Sequence, residues 1–450
     1  MAVEAGAERL RASDVATVEE HRHWVMILSR DAAPEIGGRL VRVLAAARPR
    51  IAGGALRLAM LLAAAYVYFL RQPTVLTAAT LWAEDGTIFL KGALEHGPGT
   101  LFEPYSGQIF VFPRIVALLA APLPVSIQPA IYAAVAVAAA VLSCSIVLSS
   151  RWRFSVPLSA RFLCLLALLC SPAVGEVFGT LTNAHWWLGI GLVLIGMLSD
   201  PLSRRLKLGE LAFTALTALS GFAALYAVPS LAVRFFRNRS RHSLALLGVA
   251  LAGILVQVGY LLNSGRPVNG TGMFNDPITE VIVLVRRVFA GSVLGDTNLA
   301  LLWPKYLPDT WVWLLPIALI VALTAIWIRA PRIEVTALLL AQLGGWVLVM
   351  WSLTDLTWLW LFQIGGRYFV VPMAMLYVSL IVSWPAGTLR RGMAGLACVL
   401  LATGILSGYH LNPLPYVDWT PFAACVEKHT TTCTTVIPPD WQLEINPPGR

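Results

Sequence analysis

The stretch Trp82-Ala83-Glu84-Asp85-Gly86-Thr87 follows the first long apolar run of the chain, residues 51–70. It places two adjacent carboxylates beside a tryptophan and a glycine at the mouth of an apolar segment. Charges at the boundary of a bilayer cost free energy unless water, a cation or a substrate compensates them. The acidic stretch is therefore interpreted either as a solvated turn or as the source of a catalytic base.

The composition is typical of a membrane protein. Of the 450 residues, 58% are hydrophobic and 13% are charged, whereas soluble domains are about 25% charged. Because helices satisfy their own backbone hydrogen bonds in lipid, we expect an all-α polytopic membrane protein. In such a protein the placement of the basic residues, more than the net charge of +9, indicates the orientation of the spans, and the charge does not predict nucleic-acid binding.

Segment 109–124 decides the predicted topology. It is apolar but short, and three prolines and Arg114 interrupt it, so we expect it to lie at the membrane interface. About eleven spans then follow, at 51–70, 128–149, 162–178, 186–199, 208–221, 222–235, 243–262, 311–329, 333–351, 368–386 and 392–409. This arrangement puts five basic clusters on one side, namely Arg151/Arg153/Arg161, Arg204/Arg205/Lys207, Arg234/Arg237/Arg239/Arg241, Arg329/Arg332 and Arg390/Arg391. Because basic residues favour the cytoplasmic side, the amino end is predicted inside and the carboxyl end outside.

The predicted organisation has three parts. Residues 1–50 form a cytoplasmic segment rich in arginine, in which we expect no signal peptide. Residues 51–409 form the transmembrane domain of a multi-pass protein in an inner or plasma membrane, with 72–127 as a long first extracytoplasmic loop. Residues 410–450 form an extracytoplasmic tail.

Two residue pairs have expected structural roles. Cys425 and Cys433 flank a polar segment of the tail, and the extracytoplasmic compartment permits them to form a disulfide. Trp186 and Trp187 are adjacent, and paired tryptophans are typical of the bilayer interface. We therefore expect a small closed loop in the tail and an interfacial anchor at the tryptophans.

Glu84 and Asp85 are the candidate catalytic residues. Transfer of a sugar from a polyprenyl-phosphate carrier needs a carboxylate that accepts the proton of the acceptor hydroxyl. It also needs cations that meet the charge growing on the leaving phosphate. Adjacent side chains point in different directions, so one carboxylate can face the site while the other caps the helix that follows. Capping is the alternative for Asp85, and the sequence leaves open which of the two residues is the base.

Further polar residues of the external loops are candidate substrate-binding groups. Tyr105 is a candidate to stack on a sugar. Arg114 is expected either to meet a carboxylate or phosphate of the site or to form a structural ion pair. Glu176, Asn183 and His185 lie at the external ends of two predicted spans, where they can hydrogen-bond a substrate rich in hydroxyl groups.

Two later loops carry candidate phosphate-binding arginines. Arg286-Arg287 interrupts the apolar run 278–293, where the pair either binds a phosphate in a bidentate way or extends toward lipid headgroups. Arg367-Tyr368 enters a predicted span after Gly365-Gly366. There Arg367 is expected either to meet the phosphate of the donor or to pair with Asp355.

These features resemble the GT-C superfamily of integral-membrane glycosyltransferases, which use polyprenyl-phosphate-linked sugars. The resemblance is carried by Trp82-Ala83-Glu84-Asp85-Gly86 in a long loop after one span, and by Glu103-Pro104-Tyr105-Ser106-Gly107 in the same loop. Arg367-Tyr368 ahead of an apolar helix with Pro372, and the external carboxyl end, add to it. The likeness covers the membrane region and rests on short motifs.

The resemblance implies a GT-C-like fold and an inverting transfer at the extracytoplasmic face. Asp85 or Glu84 would act as the base, and Arg367 would lie near the phosphate. The implied partners are a polyprenyl-phosphate sugar donor, a glycan or lipid acceptor of the cell envelope, and membrane lipids. The chain lacks an Asp-Asp or Asp-x-Asp pair, so no metal ligands are predicted and a requirement for a divalent cation stays open.

A transporter or flippase for a lipid-linked saccharide is the alternative function. A carrier is expected to have polar groups through the middle of the membrane, near broken helices. In this chain the polar groups concentrate in the external loops, and only 208–235, with Ser220-Gly221 near its middle, has a broken pattern. The sequence therefore favours a transferase, and a polymerase or ligase of surface polysaccharide would share its chemistry.

Overall fold

A computed structural model describes residues 53–154, 156–264, 277–295, 311–328, 330, 332–352, 359, 365–383, 388–428 and 431–446. The predicted cytoplasmic segment 1–50 and Asp355 lie outside these residues. The chain divides into two compact units, Met1–Leu62 and Ala63–Arg450. The packing described below is that of the second unit.

The described part of the chain is mostly helical, with one small sheet near the carboxyl end. Its α-helices are α1 Gly53–Phe69, α2 Thr74–Thr77, α3 Lys91–Glu95, α4 Val111–Ala120, α5 Gln128–Ser145, α6 Leu158–Leu169, α7 Ala184–Gly196, α8 Arg204–Ala218, α9 Val228–Asn238, α10 Arg241–Asn263, α11 Pro277–Leu284, α12 Gly291–Leu294, α13 Trp311–Trp327, α14 Arg332–Ser352, α15 Val370–Val382, α16 Thr388–Ser407 and α17 Thr420–Lys428. Two π-helices occupy Asp85–Leu90 and Val285–Ala290. Short 3₁₀ turns occupy Gly97–Phe102, Val125–Ile127, Ile146–Leu148, Pro172–Val177, Phe222–Ala227 and Gly366–Phe369. The strands are β1 Cys433–Ile437 and β2 Trp441–Ile445, which pair antiparallel.

Among the described residues, three helical segments are long and apolar enough to cross a membrane: Val125–Leu148, Arg241–Asn263 and Thr388–Ser407. The 23 residues of α10 extend about 34 Å, slightly more than the ~30 Å hydrocarbon core of a bilayer. Leu255 on α10 and Leu406 on α16 are 70% and 75% exposed, as expected of side chains that face lipid. The other apolar helices have 10 to 17 residues, so the count of about eleven spans stays a prediction.

A buried arginine joins the carboxyl ends of three helices. Arg71 follows α1 and is 1% exposed. Its guanidinium donates to the carbonyl oxygens of Leu169 at 2.7 Å, Gly408 at 2.8 Å and Tyr409 at 2.9 Å, which lie at the ends of α6 and α16. These carbonyls have no partner within their own helices, and a cation suits the negative end of the helix dipole. Arg71 therefore fixes how the helices meet.

Small residues let the longer helices approach closely. Gly253 of α10 faces Ala218 of α8, and Gly404 of α16 faces the backbone of Ser292. A Cβ at either glycine would collide with its neighbour. Such contacts are common between helices in a membrane, because the hydrophobic effect does not drive helices together in lipid and close packing of small residues does.

A network of ion pairs lies at the carboxyl end of α7. Arg234, which is fully buried, donates to Glu210 at 2.8 Å, to Asp200 at 3.0 Å and to the carbonyl oxygen of Ile195 at 2.9 Å. Glu210 also pairs with Arg151. Every charge in this network therefore has an opposite charge in contact.

Asp200 and Glu210 have further hydrogen-bonding partners. His242 lies 2.8 Å from Glu210, and Ser243 donates to Asp200 at 2.8 Å. Burial opposes ionisation of Asp200, but hydrogen bonds from Ser240, Ser243 and Arg234 outweigh it and lower the pKa of this carboxyl to about 2. The network is saturated, which is the condition for a buried charge to be tolerated.

The carboxyl tail folds as a helix and a hairpin. A disulfide joins Cys425 of α17 to Cys433 of β1, with 5.8 Å between the Cα atoms. Cys433 pairs with Ile445 and Ile437 with Trp441 across the hairpin. Leu443 and Ile445 face inward while their neighbours face out, so one side of the hairpin is apolar.

The apolar side of the tail covers the first loop. The backbone N–H of Ala83 donates to Pro438 at 2.8 Å, and the N–H of Asn446 donates to Glu95 at 2.8 Å. Trp419 donates to the carbonyl oxygen of Val125 at 2.8 Å. The tail therefore touches the chain both before and after α4.

This contact bears on segment 109–124. Its helix α4 has 10 residues and is about 15 Å long, half the thickness of the hydrocarbon core. Both flanks of α4 contact the same small tail, and the placement of 109–124 outside the membrane stays a prediction.

Candidate functional site

Glu84 has one carboxylate oxygen without a partner. The turn that carries it is held by the N–H of Asp85, which donates to the carbonyl oxygen of Trp82 at 2.7 Å, and by the tail contact at Ala83. Glu84 Oε1 accepts a hydrogen bond from the hydroxyl of Tyr105 at 3.3 Å. Glu84 Oε2 is buried and has no hydrogen-bond partner among the described residues. Leaving a buried polar atom unpaired costs free energy, and a bound ligand that hydrogen-bonds to the atom would remove this cost.

Tyr105 sits in a tight loop that aims its ring at Glu84. Its N–H and carbonyl oxygen both bond Gln108, while Ser106 and Gly107 adopt positive φ of 50° and 76°. Burial, followed by the charge of Glu84, raises the pKa of Tyr105 to about 12. At neutral pH this hydroxyl therefore keeps its proton and can only donate to Glu84.

Glu176 holds the turn that carries Arg367. Its two carboxylate oxygens accept the backbone N–H groups of Gly365 at 2.8 Å and Arg367 at 3.2 Å. Gly365 has a φ of 68°, a conformation that glycine adopts at no steric cost. Arg367 then lies over the ring of Tyr368, 5.1 Å from its centroid.

Charges of the first loop and of the Arg367 turn interact. Arg367 lies within electrostatic range of Glu84, Tyr105 and His185. These residues come from separate parts of the chain. The candidate carboxylate and the candidate phosphate-binding guanidinium are therefore close enough for their charges to interact.

The carboxylate of Asp85 is hydrogen-bonded within the protein. The residue is 2% exposed, and its carboxylate accepts the backbone N–H groups of Thr182 at 2.7 Å and Leu181 at 3.1 Å. Burial raises the pKa of Asp85 to about 8 although these two bonds act in the opposite direction. The capping alternative for Asp85 is wrong, because Asp85 lies inside the helix that Glu84 precedes and its carboxylate accepts the N–H groups of Leu181 and Thr182. It ties the first loop to the turn that precedes α7 instead.

Aromatic rings connect Glu84 to Arg367. We call Tyr105, Phe110, His185, Trp186 and Tyr368 the aromatic row. Successive centroids along it lie 6.3, 5.4, 4.7 and 5.9 Å apart. The row therefore begins at the partner of Glu84 and ends at the ring beneath Arg367.

Two more unpaired polar atoms lie beside this row. The ring of Tyr226 is 6.0 Å from that of Trp186. Trp186 Nε1 and Tyr226 Oη are both buried, and neither has a hydrogen-bond partner among the described residues. With Glu84 Oε2 they offer a donor, a hydroxyl and an acceptor to whatever the site binds.

The turn between α8 and the 3₁₀ segment that follows it fixes Phe110. Gly221 donates to the carbonyl oxygen of Ile109 at 2.9 Å, and Val111 donates to Leu219 at 3.0 Å. Gly221 has a φ of 85°, and a Cβ there would lie 3.3 Å from Phe110 and 3.6 Å from His185. Glycine at 221 therefore allows the turn to approach the aromatic row.

Two predicted binding residues have structural partners. Arg114 is 2% exposed and bonds the hydroxyl of Thr100 and, at 2.9 Å, the carbonyl oxygen of Glu103. Its ion pair with Glu103 favours the structural alternative for Arg114. Asn183 donates to the carbonyl oxygen of Glu176 at 2.9 Å, so it shapes the turn in which Glu176 sits.

The arginine pair of the later loop is buried. Arg286 and Arg287 are 2% and 1% exposed, on a π-helix where the sequence left open extension toward lipid headgroups. Arg287 donates to the carbonyl oxygen of Leu359 at 3.2 Å and lies over the ring of Phe369 at 4.7 Å. Extension of these two side chains into the headgroup layer is therefore wrong.

Sequence reasoning missed three residues of the site. Trp186 was expected at the bilayer interface, yet it is 8% exposed and Trp187 is fully buried. Phe110 and Tyr226 carried no signal apart from their apolar surroundings. A tryptophan beside His185 at the end of a span was the one available sign of a lined pocket.

No group of three or more histidine, cysteine, aspartate or glutamate side chains that could hold a metal occurs within the described ranges. No protein-family model, curated protein or solved structure matches the chain. The site must therefore be interpreted from its own geometry.

Proposed function

We propose that the protein is an integral-membrane glycosyltransferase. It transfers a sugar from a polyprenyl-phosphate donor to a hydroxyl of a glycan or lipid of the cell envelope. The observation that carries the proposal is the unpaired Glu84 Oε2 within electrostatic range of Arg367. A carboxylate that accepts a proton and a guanidinium that meets the charge of a phosphate are the groups that such a transfer needs.

Glu84 is the base in this proposal. Its Oε2 takes the proton of the acceptor hydroxyl as the acceptor oxygen forms a bond to the anomeric carbon. The bond between that carbon and the phosphate oxygen breaks on the opposite face, so the configuration inverts. The electron pair leaves with the polyprenyl phosphate, whose growing charge Arg367 meets in a charge-assisted contact.

Asp85 and Glu176 are positioning residues. Asp85 is not assigned as the base in this proposal, because a backbone N–H group donates to each of its two oxygens. Both carboxylate oxygens of Glu176 accept hydrogen bonds from the backbone of the Arg367 turn. Each holds one side of the site, which matters because catalytic groups must be placed within a fraction of an ångström.

The aromatic row is proposed to hold the sugar. A pyranose has an apolar C–H face that fits a flat ring and hydroxyl groups at its edge. Trp186 Nε1 and Tyr226 Oη would bond those hydroxyls, which supports a saccharide over a purely apolar ligand. The donor's polyprenyl chain would lie in the bilayer.

For the topology we propose about eleven crossings with a GT-C-like arrangement, a cytoplasmic amino end and an extracytoplasmic carboxyl end. The first loop and the tail pack together, which supports placing them on one face. The saturated ion-pair network lies at the opposite end of α7, beside basic residues that favour the cytoplasm.

A transport function is less well supported. The 13 residues of α7 separate its two ends by about 20 Å. Glu84 Oε2, Trp186 Nε1 and Tyr226 Oη lie at its amino end, whereas the charged groups at its carboxyl end bond one another. A carrier would instead expose polar groups near the midplane.

The direct test is an assay with the purified protein in lipid nanodiscs. Polyprenyl-phosphate sugars are supplied with lipid and glycan acceptors from the same membrane. Formation of a glycosylated acceptor with inverted configuration, together with release of polyprenyl phosphate, is expected. Movement of intact lipid-linked saccharide between leaflets without cleavage would overturn the proposal.

A further inference from the structure

A groove lies between the carboxyl end of α5 and the amino end of α8, far from the aromatic row. Its volume is about 340 Å³. Most of its wall is apolar, including Leu142 and Ile146 on one side and Leu206 and Phe213 on the other. Leu142 and Leu206 are 59% and 54% exposed, so the groove is open along a helix that is long enough to cross a membrane.

The side chains that line the groove change from charged at one end to apolar at the other. Arg205 lies in the first turn of α8, and Phe213 lies two turns deeper, about 12 Å further along the axis. On the α5 side, Arg151 lies past the end of the helix and Leu142 lies within it. One end of the groove is therefore basic and the other is apolar.

The basic end has a net positive charge. Glu210 also lines the groove, but its carboxylate is already paired with Arg151 and Arg234. Arg205 is exposed and makes no contact that would neutralise it among the hydrogen bonds and ion pairs of the described chain. An anion at this end would therefore meet a cation without having to displace a partner.

We infer that this groove binds an anionic phospholipid. Its phosphate lies at Arg205, beside the paired Arg151, and an acyl chain lies along Leu142 and Phe213. A lipid in a bilayer leaflet has this arrangement, with the headgroup at the end of a spanning helix and the chain along its side. Basic side chains at the membrane surface favour anionic over neutral lipids.

The test is native mass spectrometry of the full-length protein, released from mixed micelles that contain phosphatidylglycerol or phosphatidylcholine. The wild type is expected to retain phosphatidylglycerol about fivefold better than phosphatidylcholine. Arg205→Gln should bring the two lipids to parity, whereas Arg204→Gln, on the neighbouring exposed cation, should leave the preference unchanged.

A second pair of variants tests the groove itself. A side chain at Gly209 would meet nothing within 4 Å, so Gly209→Phe places a ring in the groove and should abolish retention of both lipids. Gly248→Phe, on an exposed and equally open position of α10, is the matched control and should bind as the wild type does. If Gly209→Phe did not fold, the comparison of the two arginine variants would decide alone.

Three results would overturn the inference. Equal retention of the two lipids by the wild type would remove the role of charge. An equal loss in Arg205→Gln and Arg204→Gln would indicate a diffuse surface effect. Full retention by folded Gly209→Phe would place the lipid elsewhere.

Discussion

The two ends of α7 place buried polar groups in opposite conditions. At the carboxyl end, Arg234, Asp200 and Glu210 satisfy one another through ion pairs and hydrogen bonds. At the amino end, Glu84 Oε2 and Trp186 Nε1 are buried without partners within the described chain. A folded protein tolerates the second condition poorly, since each unpaired group costs about 1–3 kcal/mol. The first condition is that of a structural cluster, and the second is the one that the proposed function assigns to a ligand-binding site.

Glu84→Gln should have the largest effect on activity. The amide has no basic oxygen, and general-base catalysis contributes about 10²–10⁴-fold, so transfer should fall by about 10³-fold with the fold unchanged. Single-turnover transfer in nanodiscs measures this loss.

Glu103→Gln is the matched control for Glu84. Its carboxylate lies in the same loop but contacts His96 at 2.8 Å and Thr100 at 3.3 Å, so it has no free oxygen to offer. Near-normal transfer is expected in Glu103→Gln. Normal transfer in Glu84→Gln would remove the distinction between unpaired and paired carboxylates.

Arg234→Ala tests the other end of α7. Removing one member of a buried ion pair leaves uncompensated charge and costs about 3–5 kcal/mol. The thermal unfolding midpoint should fall strongly, while the protein that remains folded should transfer sugar at a normal rate. A specific loss of activity at unchanged stability would mean that the network takes part in the reaction.

Glu176→Gln should have a smaller effect. The amide keeps one acceptor oxygen for the N–H groups of Gly365 and Arg367 and loses the other, at a cost of about 1.5 kcal/mol. If the guanidinium moves as a result, KM for the donor should rise about tenfold, with a lesser change in kcat.

Glu444→Gln, at an exposed strand position, is the control for Glu176 and should match the wild type. An unchanged KM in Glu176→Gln would mean that the Arg367 turn is held without this carboxylate.

The contribution of Asp85 to stability depends on pH. Its pKa in the folded protein is about 8, above the value of 3.8 expected in the unfolded chain. The folded state therefore keeps a proton that the unfolded chain loses, so this contribution to stability is complete below pH 3.8 and is lost as pH rises through 8.

Asp85→Asn does not titrate, so its unfolding midpoint should decline less between pH 5 and pH 9 than that of the wild type. The variant should be less stable at low pH, because its amide cannot accept both N–H groups. Parallel curves for the two proteins would contradict the raised pKa.

Part of this arrangement was predictable from the sequence. Glu84 and Arg367 stood out because charges are rare in an apolar chain, and the prolines of segment 109–124 indicated that its helix is short. The disulfide was predicted from two cysteines that flank a polar segment of the tail.

The remainder depends on contacts between distant residues. Asp85 was assigned by its neighbours in sequence, yet its partners lie at Leu181 and Thr182. The sequence around Trp186 is typical of an interfacial tryptophan, but in the structure the rings of Tyr226 and Tyr368 pack against it. The charges of the Arg234 network served only to predict orientation, because sequence spacing does not reveal which of them meet.

The most direct measurement is a structure of the protein bound to a non-cleavable phosphonate analogue of a polyprenyl-phosphate sugar. The account predicts the phosphonate within about 3 Å of the Arg367 guanidinium, the sugar against Trp186, and Glu84 Oε2 facing the anomeric carbon. A phosphonate bound at Arg114 or Arg286, with Glu84 still unpaired, would contradict it.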